Sequence, residues 1–180
     1  MELEITKLIR SATPDDVLDI HNIYTAAIQA STATWDETAP SIEEMRDRLI
    51  GLQQQGFPYL VAESSSTPKI AGYAFAGPFH HQTGWRYTAE HSVYVAPNHH
   101  RHGIGRALMQ ELMAQLKAKG FRTLIAGVSQ PGGNASLGFH RSLGFEIKGV
   151  LPKTGYKSGQ WLDATLLTYD FGEPADMTLR

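Results

Sequence analysis

The sequence predicts an α/β domain with a mixed sheet, on three observations. Strand-like and helix-like segments follow one another in the order β-α-α-β-β-β-α-β-α-β-β. The 180 residues, 42% hydrophobic and 19% charged, suit one sizeable core and exclude both a disordered chain and a disulfide-stapled mini-protein, since cysteine is absent. No internal repeat and no linker divides the chain, so a single domain is expected over 1–180, with about seven strands and about four helices.

Each element has a local reason. Leu3 to Arg10 mixes apolar and polar residues as a strand does. Thr13-Pro14-Asp15-Asp16 then starts a helix: Thr13 caps, Pro14 fits the first position, and the aspartates face the positive helix end. Val17, Ile20, Ile23, Tyr24, Ala27 and Ile28 continue at helical spacing. Ser41-Ile42-Glu43-Glu44 is a capping box for a second helix, which Gly56 ends. Phe57 to Glu63 and Lys69 to Gly77 are strands around a Ser64–Pro68 turn, and Tyr87 to Val95 is another. Gly103 to Lys119 is an amphipathic helix with Ile104, Leu108, Leu112 and Leu116 four apart and Gly120 as its stop. Phe121 to Gly127 is a strand, Asn134 to Leu143 a short helix, and Phe145 to Val150 and Trp161 to Asp170 are the last strands, with Trp161 read as core.

Charge narrows the function classes. Sixteen basic against eighteen acidic residues give −2, with no run of like charge, which argues against nucleic-acid and membrane partners. The acidic N-terminus lacks a signal-peptide core and no stretch is apolar enough to span a bilayer, so a soluble cytoplasmic protein is expected. Of eight histidines, His80, His81, His91, His99, His100 and His102 crowd one window. Their spacing does not make a helical zinc pair and no cysteine joins them, so no metal site is expected.

The strongest chemical signal is Val93-Tyr94-Val95-Ala96-Pro97-Asn98-His99-His100-Arg101-His102-Gly103-Ile104-Gly105-Arg106. A strand ends, a basic loop follows, and two glycines open a long helix. A helix start carries N–H groups without helical partners and about half a positive charge, and glycine lets an anion come close: this is a cradle for a pyrophosphate. Leu108 stands where a dinucleotide fingerprint needs its third glycine, and the Gly-Lys-Ser/Thr of a nucleotide-triphosphate loop is absent.

The run His100-Arg101-His102-Gly103-Ile104-Gly105 resembles the Arg/Gln-x-x-Gly-x-Gly/Ala motif of the GNAT superfamily of acetyl-CoA-dependent N-acyltransferases, with His100 in the first place. Thr32-Ala33-Thr34-Trp35, Gly72-Tyr73-Ala74, Thr88 to Val95, Phe139 to Phe145 and Gly155 to Asp163 resemble its phosphinothricin and methionine sulfone acetyltransferase branch over about residues 7–170, leaving 171–180 as a tail. The resemblance implies the GNAT fold, acetyl-CoA as co-substrate, transfer to the amino group of a small amino-acid-like substrate by direct transfer in a ternary complex, and a homodimer. Carried across, it implies that the backbones of Val93, Tyr94 and Val95 meet the pantetheine arm. It also implies that His100, Arg101, His102, Gly103, Ile104, Gly105 and Arg106 hold the pyrophosphate, and that Asn134 binds the cofactor near its thiol end. Glu90 would be the general base and His140 a second acid–base or orienting group. Two departures stand out: Asn134-Ala135-Ser136 is one residue tighter than the branch's spacing, and Pro78-Phe79-His80-His81-Gln82 replaces Pro-Phe-Arg-x-Arg.

The chemistry agrees with these assignments. Acetyl transfer to an amine needs a base, a stabilised carbonyl oxygen and an accommodated thiolate, but no cysteine. Strand alternation puts Glu90, Ser92 and Tyr94 on one face and His91, Val93 and Val95 on the other. Tyr94 has two readings, thiolate donor or packing. Trp35, Phe79, His80, Gln82 and Trp85 are the expected substrate-binding set. Trp35 and Trp85 are pocket walls or else core and dimer contacts, and His80 and His81 line the amine site or face solvent. The rival functions are acetylation of a protein or peptide amine, which needs an open groove, and a non-catalytic acyl-CoA-binding module.

Overall fold

In a computed structural model, residues 9–65 and 68–173 are described. Among the described residues seven strands form one mixed sheet in the order β1-β2-β3-β4-β5-β7-β6, with four α-helices. The strands are β1 (Ile9–Ser11), β2 (Tyr59–Glu63), β3 (Ile70–Pro78), β4 (Thr88–Val95), β5 (Thr123–Gln130), β6 (Glu146–Lys157) and β7 (Gln160–Asp170). The helices are α1 (Val17–Ala30), α2 (Ile42–Gln54), α3 (Ile104–Ala118) and α4 (Asn134–Ser142). Element order matches the sequence expectation. Residues 3–8 of the expected first strand lie outside the described residues. No helix among the described residues is long and apolar enough to cross a membrane.

The chain divides into two compact units. The first holds residues up to Ala26, Pro40–Gly77 and His91–Lys119. Here β2 and β3 pair antiparallel, Tyr59↔Phe75 and Val61↔Tyr73 on one face, Leu60↔Ala74 and Ala62↔Gly72 on the other. Both faces are covered, so Tyr59–Ala62 and Ile70–Ala74 read as unbroken buried runs rather than alternating ones. Tyr59, Tyr73 and Phe75 stack on each other, while Gly72 and Ala74 leave room for α3. A Cβ at Gly72 would stand 3.3 Å from both Ile104 and Leu108 and 2.9 Å from the Tyr94 carbonyl, so this glycine seats the start of α3. Leu108, Met109, Leu112 and Leu116 of α3 are completely buried, at roughly 1.5–3 kcal/mol for each large apolar side chain removed from water.

The start before α1 is the expected one: Thr13 is the N-cap with Pro14 behind it. Asp16 closes a capping box, its carboxylate accepting from the Thr13 N–H at 2.7 Å and from the Thr13 hydroxyl at 3.0 Å. Pro14–Asp16 is a 3-10 turn leading into α1. The Arg10 guanidinium grips Asp16 with two bonds of 2.7 and 2.8 Å and donates to Glu63 at 2.6 Å. Burial alone would raise the Asp16 carboxyl; the Arg10 and Thr13 hydrogen bonds outweigh it and hold the group below its usual range. Ser41 and Glu44 form the expected capping box on α2.

The second unit holds Ala27–Ala39, Pro78–Glu90 and the chain from Gly120. β4 pairs parallel with β5 through Thr88↔Thr123, Ala89↔Leu124 and Glu90↔Ile125, the last pair of that register. β5 pairs antiparallel with β7 along its whole length, and β7 with β6. The last two strands are longer than the sequence suggested and form a hairpin. Its turn is Ser158-Gly159, both at positive φ, as a two-residue turn matched to strand twist requires. Trp161 is not core. It is 60% exposed on this hairpin, edge-on to Tyr156 at 5.2 Å, because β6 is the sheet edge and one face of the hairpin is uncovered.

Candidate active site

In the first unit, β4 runs through Val93, Tyr94 and Val95 into a 3-10 turn, Pro97–His99. Tyr94 packs edge-on to Tyr24 at 5.1 Å and against Tyr73 at 5.3 Å, which favours the packing reading of this residue. The His100 ring donates from Nε2 to the Val95 carbonyl at 2.9 Å and folds the loop back on its strand. His100 therefore shapes the loop before α3 with its side chain. Arg101 sits at φ 64° and Gly103 at φ 81°, two left-handed residues that turn the chain sharply into α3.

Gly103 is the N-cap of α3 and offers no side-chain cap; the first turn, with Ile104, Gly105 and Arg106, contains no acid. Arg101 and His102 are exposed beside it. A positive helix end, two glycines and basic neighbours suit a pyrophosphate and fit the cofactor expected there. A cleft of about 960 Å³ also opens in this unit, between Asp19, Asn22, Ile23, Lys69, Ala96 and His99, and its lining includes none of the expected site residues.

In the second unit, Glu90 ends the parallel register of β4. Its side chain reaches solvent, yet the packing around it is dense enough for burial to push the carboxyl above its usual value. That moves a weak base towards the range where it takes a proton at neutral pH. His140 on α4 is buried between Phe139 and Phe145, with ring separations of 5.4 and 5.3 Å. Its Nδ1 donates to the Ser136 carbonyl at 2.7 Å, which leaves Nε2 as the lone-pair nitrogen. Desolvation lowers its pKa more than the Ser136 bond raises it, so the ring is neutral at pH 7. Asn134, the first residue of α4, accepts from the Gln130 side chain at 3.2 Å.

Phe79, His80 and Trp85 come together around the 3-10 turn Thr83–Trp85. Phe79 is edge-on to Trp85 at 5.3 Å and His80 stacks on Trp85 at 6.0 Å. Gln82, exposed, caps that turn through its carbonyl. His81 donates its N–H to His80 Nδ1 at 3.0 Å. The neighbouring Arg86 is turned to the Thr83 carbonyl at 3.0 Å and lies over the Tyr87 ring. Trp35 lies on Gly155, where a Cβ would run into the indole.

Lys157 was not foreseen. It is 3% exposed and donates to the carbonyls of Ser31 at 3.0 Å and Thr34 at 2.8 Å. Ser129, equally buried, donates to the Thr32 carbonyl. The one available signal was its place in the Gly155–Asp163 block that carries the family resemblance. Among the described residues no group of three His, Asp or Glu stands close enough to hold a metal.

The Acetyltransferase (GNAT) domain family matches residues 9–166. This chain belongs to the GNAT acetyltransferase family. It is 39% identical to a phosphinothricin N-acetyltransferase of Alcaligenes faecalis over 159 residues, 88% of this chain and 80% of that one. It is 38% identical to an L-methionine sulfoximine/L-methionine sulfone acetyltransferase of Pseudomonas paraeruginosa, covering 88% of this chain and 91% of the relative. The crystal structure of a GNAT phosphinothricin acetyltransferase from Sinorhizobium meliloti in complex with AcCoA superposes with a TM-score of 0.85 at 37% identity, over 93% of this chain and 89% of that one. The GNAT fold and the enzyme class expected from the sequence are thus established for this acetyltransferase.

Proposed function

We propose that this acetyltransferase moves an acetyl group from acetyl-CoA to the α-amino group of a small amino-acid-like substrate, directly and in one ternary complex. The observation that carries this reading is the uncapped, acid-free start of α3 at the end of the strand that bears Glu90. The backbone N–H groups from Arg101 to Arg106 take the pyrophosphate. Val93 to Val95, beyond the last residue of β4 in register with β5, pair with the pantetheine arm, and Asn134 helps to hold its thiol end.

Acetyl-CoA brings the thioester; the chain supplies the proton chemistry. Glu90 takes a proton from the substrate ammonium, directly or through one water. The freed amine forms the N–C bond, the C–S bond breaks, and the proton that the acetylated nitrogen sheds passes to the departing thiolate. His140, neutral with its Nε2 lone pair fixed, orients or relays that proton. Trp35, Phe79, His80, Gln82 and Trp85 receive the substrate side chain. With aromatic faces there and Arg86 turned aside, a neutral side chain such as a sulfone suits the site better than a phosphinate.

The enzyme works in the cytoplasm as a homodimer. The large apolar side chains of one edge hairpin, Ile147, Val150, Leu151, Tyr156 and Trp161, are 45–60% exposed and are the surface offered to the second copy. The test is incubation with acetyl-CoA and a panel of amino acids that includes methionine sulfone and phosphinothricin, followed by thiol release. Turnover on a small amino acid supports the reading; a folded protein that acetylates none of them overturns it.

A further inference from the structure

The loop after α1 is held from outside. Its carbonyls at Ser31, Thr32 and Thr34 are taken by side chains from strands about a hundred residues further along: Lys157 bonds to the first and third, Ser129 to the second. The Thr32 hydroxyl adds a bond to the Pro131 carbonyl at 3.3 Å. Gly155 and Lys157 are two apart on β6, so they share a face, and the Trp35 indole lies on the first while the second holds the backbone around it.

Lys157 is an unusual choice for a purely structural post. Among the described residues its hydrogen-bond acceptors are both neutral carbonyls, and the carboxylates of Asp36 and Glu37 act on it only through space. Desolvation lowers its pKa and those two carboxylates oppose the shift. Covering an ammonium this way is costly. What it secures is a loop whose large side chain, Trp35, remains 40% exposed. Holding an exposed indole against a side-chain-free backbone gains little burial, so the benefit lies in the position of the ring.

We propose that Lys157 is a positioning residue for amine recognition, fixing the 31–37 loop so that Trp35 stands on Gly155 as one wall of the amine pocket. The proposal rests on the reading of Trp35 as such a wall. Lys157→Met keeps the volume and removes the donors; Ser129→Ala releases the second anchor and serves if the first variant does not fold. Each raises KM for the amine about tenfold and leaves KM for acetyl-CoA within about twofold. With Trp85 and Trp161 replaced by Phe, each also makes Trp35 more accessible to acrylamide quenching. Trp35→Ala raises the amine KM by a similar factor, and adding Lys157→Met to it brings no further rise.

An unchanged amine KM in both folded variants, equal rises in both Michaelis constants, or full additivity with Trp35→Ala would overturn the positioning role. A Trp35→Ala enzyme with normal amine KM would instead overturn the reading of Trp35 on which the proposal stands, while the panel assay still reports on acetyl transfer itself.

Discussion

The starts of α2 and α3 show two opposite uses of the same helix end. α2 neutralises its own: Ser41 accepts the Glu44 N–H, Glu44 accepts the Ser41 N–H at 2.7 Å, and Glu43 adds a second charge. α1 is led in the same way by Asp16 and Arg10. α3 has none of this: a glycine at the cap, no acid in the first turn, and arginines on either side of the glycine pair. A helix built only for stability keeps its carboxylate. One that binds an anion has to leave that place open, and gives up about 0.5–2 kcal/mol of capping to do so.

The contrast can be broken or sharpened by substitution. The largest effect belongs to an acid on the strand that precedes α3. Glu90→Gln lowers kcat about 100- to 1,000-fold while acetyl-CoA affinity by calorimetry stays within about threefold. With Glu90 as the base, the carboxylate is the active form; burial raises its pKa, so wild-type kcat/KM climbs as pH rises through the raised pKa, and the variant loses this limb. An unchanged rate would remove Glu90 from the mechanism. Next, Gly105→Asp gives α3 the device of α2. A carboxylate within about 4 Å of the pyrophosphate raises KM for acetyl-CoA on the order of 100-fold, while thermal stability holds or rises. A normal KM would mean that the anion binds elsewhere. The smallest change is Ser41→Ala, expected to cost about 1 kcal/mol in urea unfolding with both Michaelis constants unaltered.

How much of this was legible depended on how local each signal is. Helix starts are written within four residues, so the Ser41 box and the Gly103–Gly105 opening could be read directly. The 158–159 turn could have been read the same way, but the bulges at Ile147/Gly149 and Leu151/Gly155 break the alternation that marks a strand and hid the length of β6. The role of Lys157 was unreadable because its acceptors are 123 and 126 residues away. Trp161 was misread for a related reason: hydrophobicity says that a face wants cover, not whether the same chain covers it. The fold and the glycine-opened start of α3 came from patterns near in sequence; the Lys157 contacts and the exposed hairpin depend on which strands become neighbours.

The placement of the tryptophans has a consequence for spectroscopy. Trp35, Trp85 and Trp161 are 40%, 43% and 60% exposed, while the fully buried large rings are Tyr59, Tyr73 and Phe121. Indole emission from the folded single chain should therefore already be red-shifted and change little on denaturation. Tyrosine absorbance would report the collapse of the core, and indole intensity would report what docks on the surface.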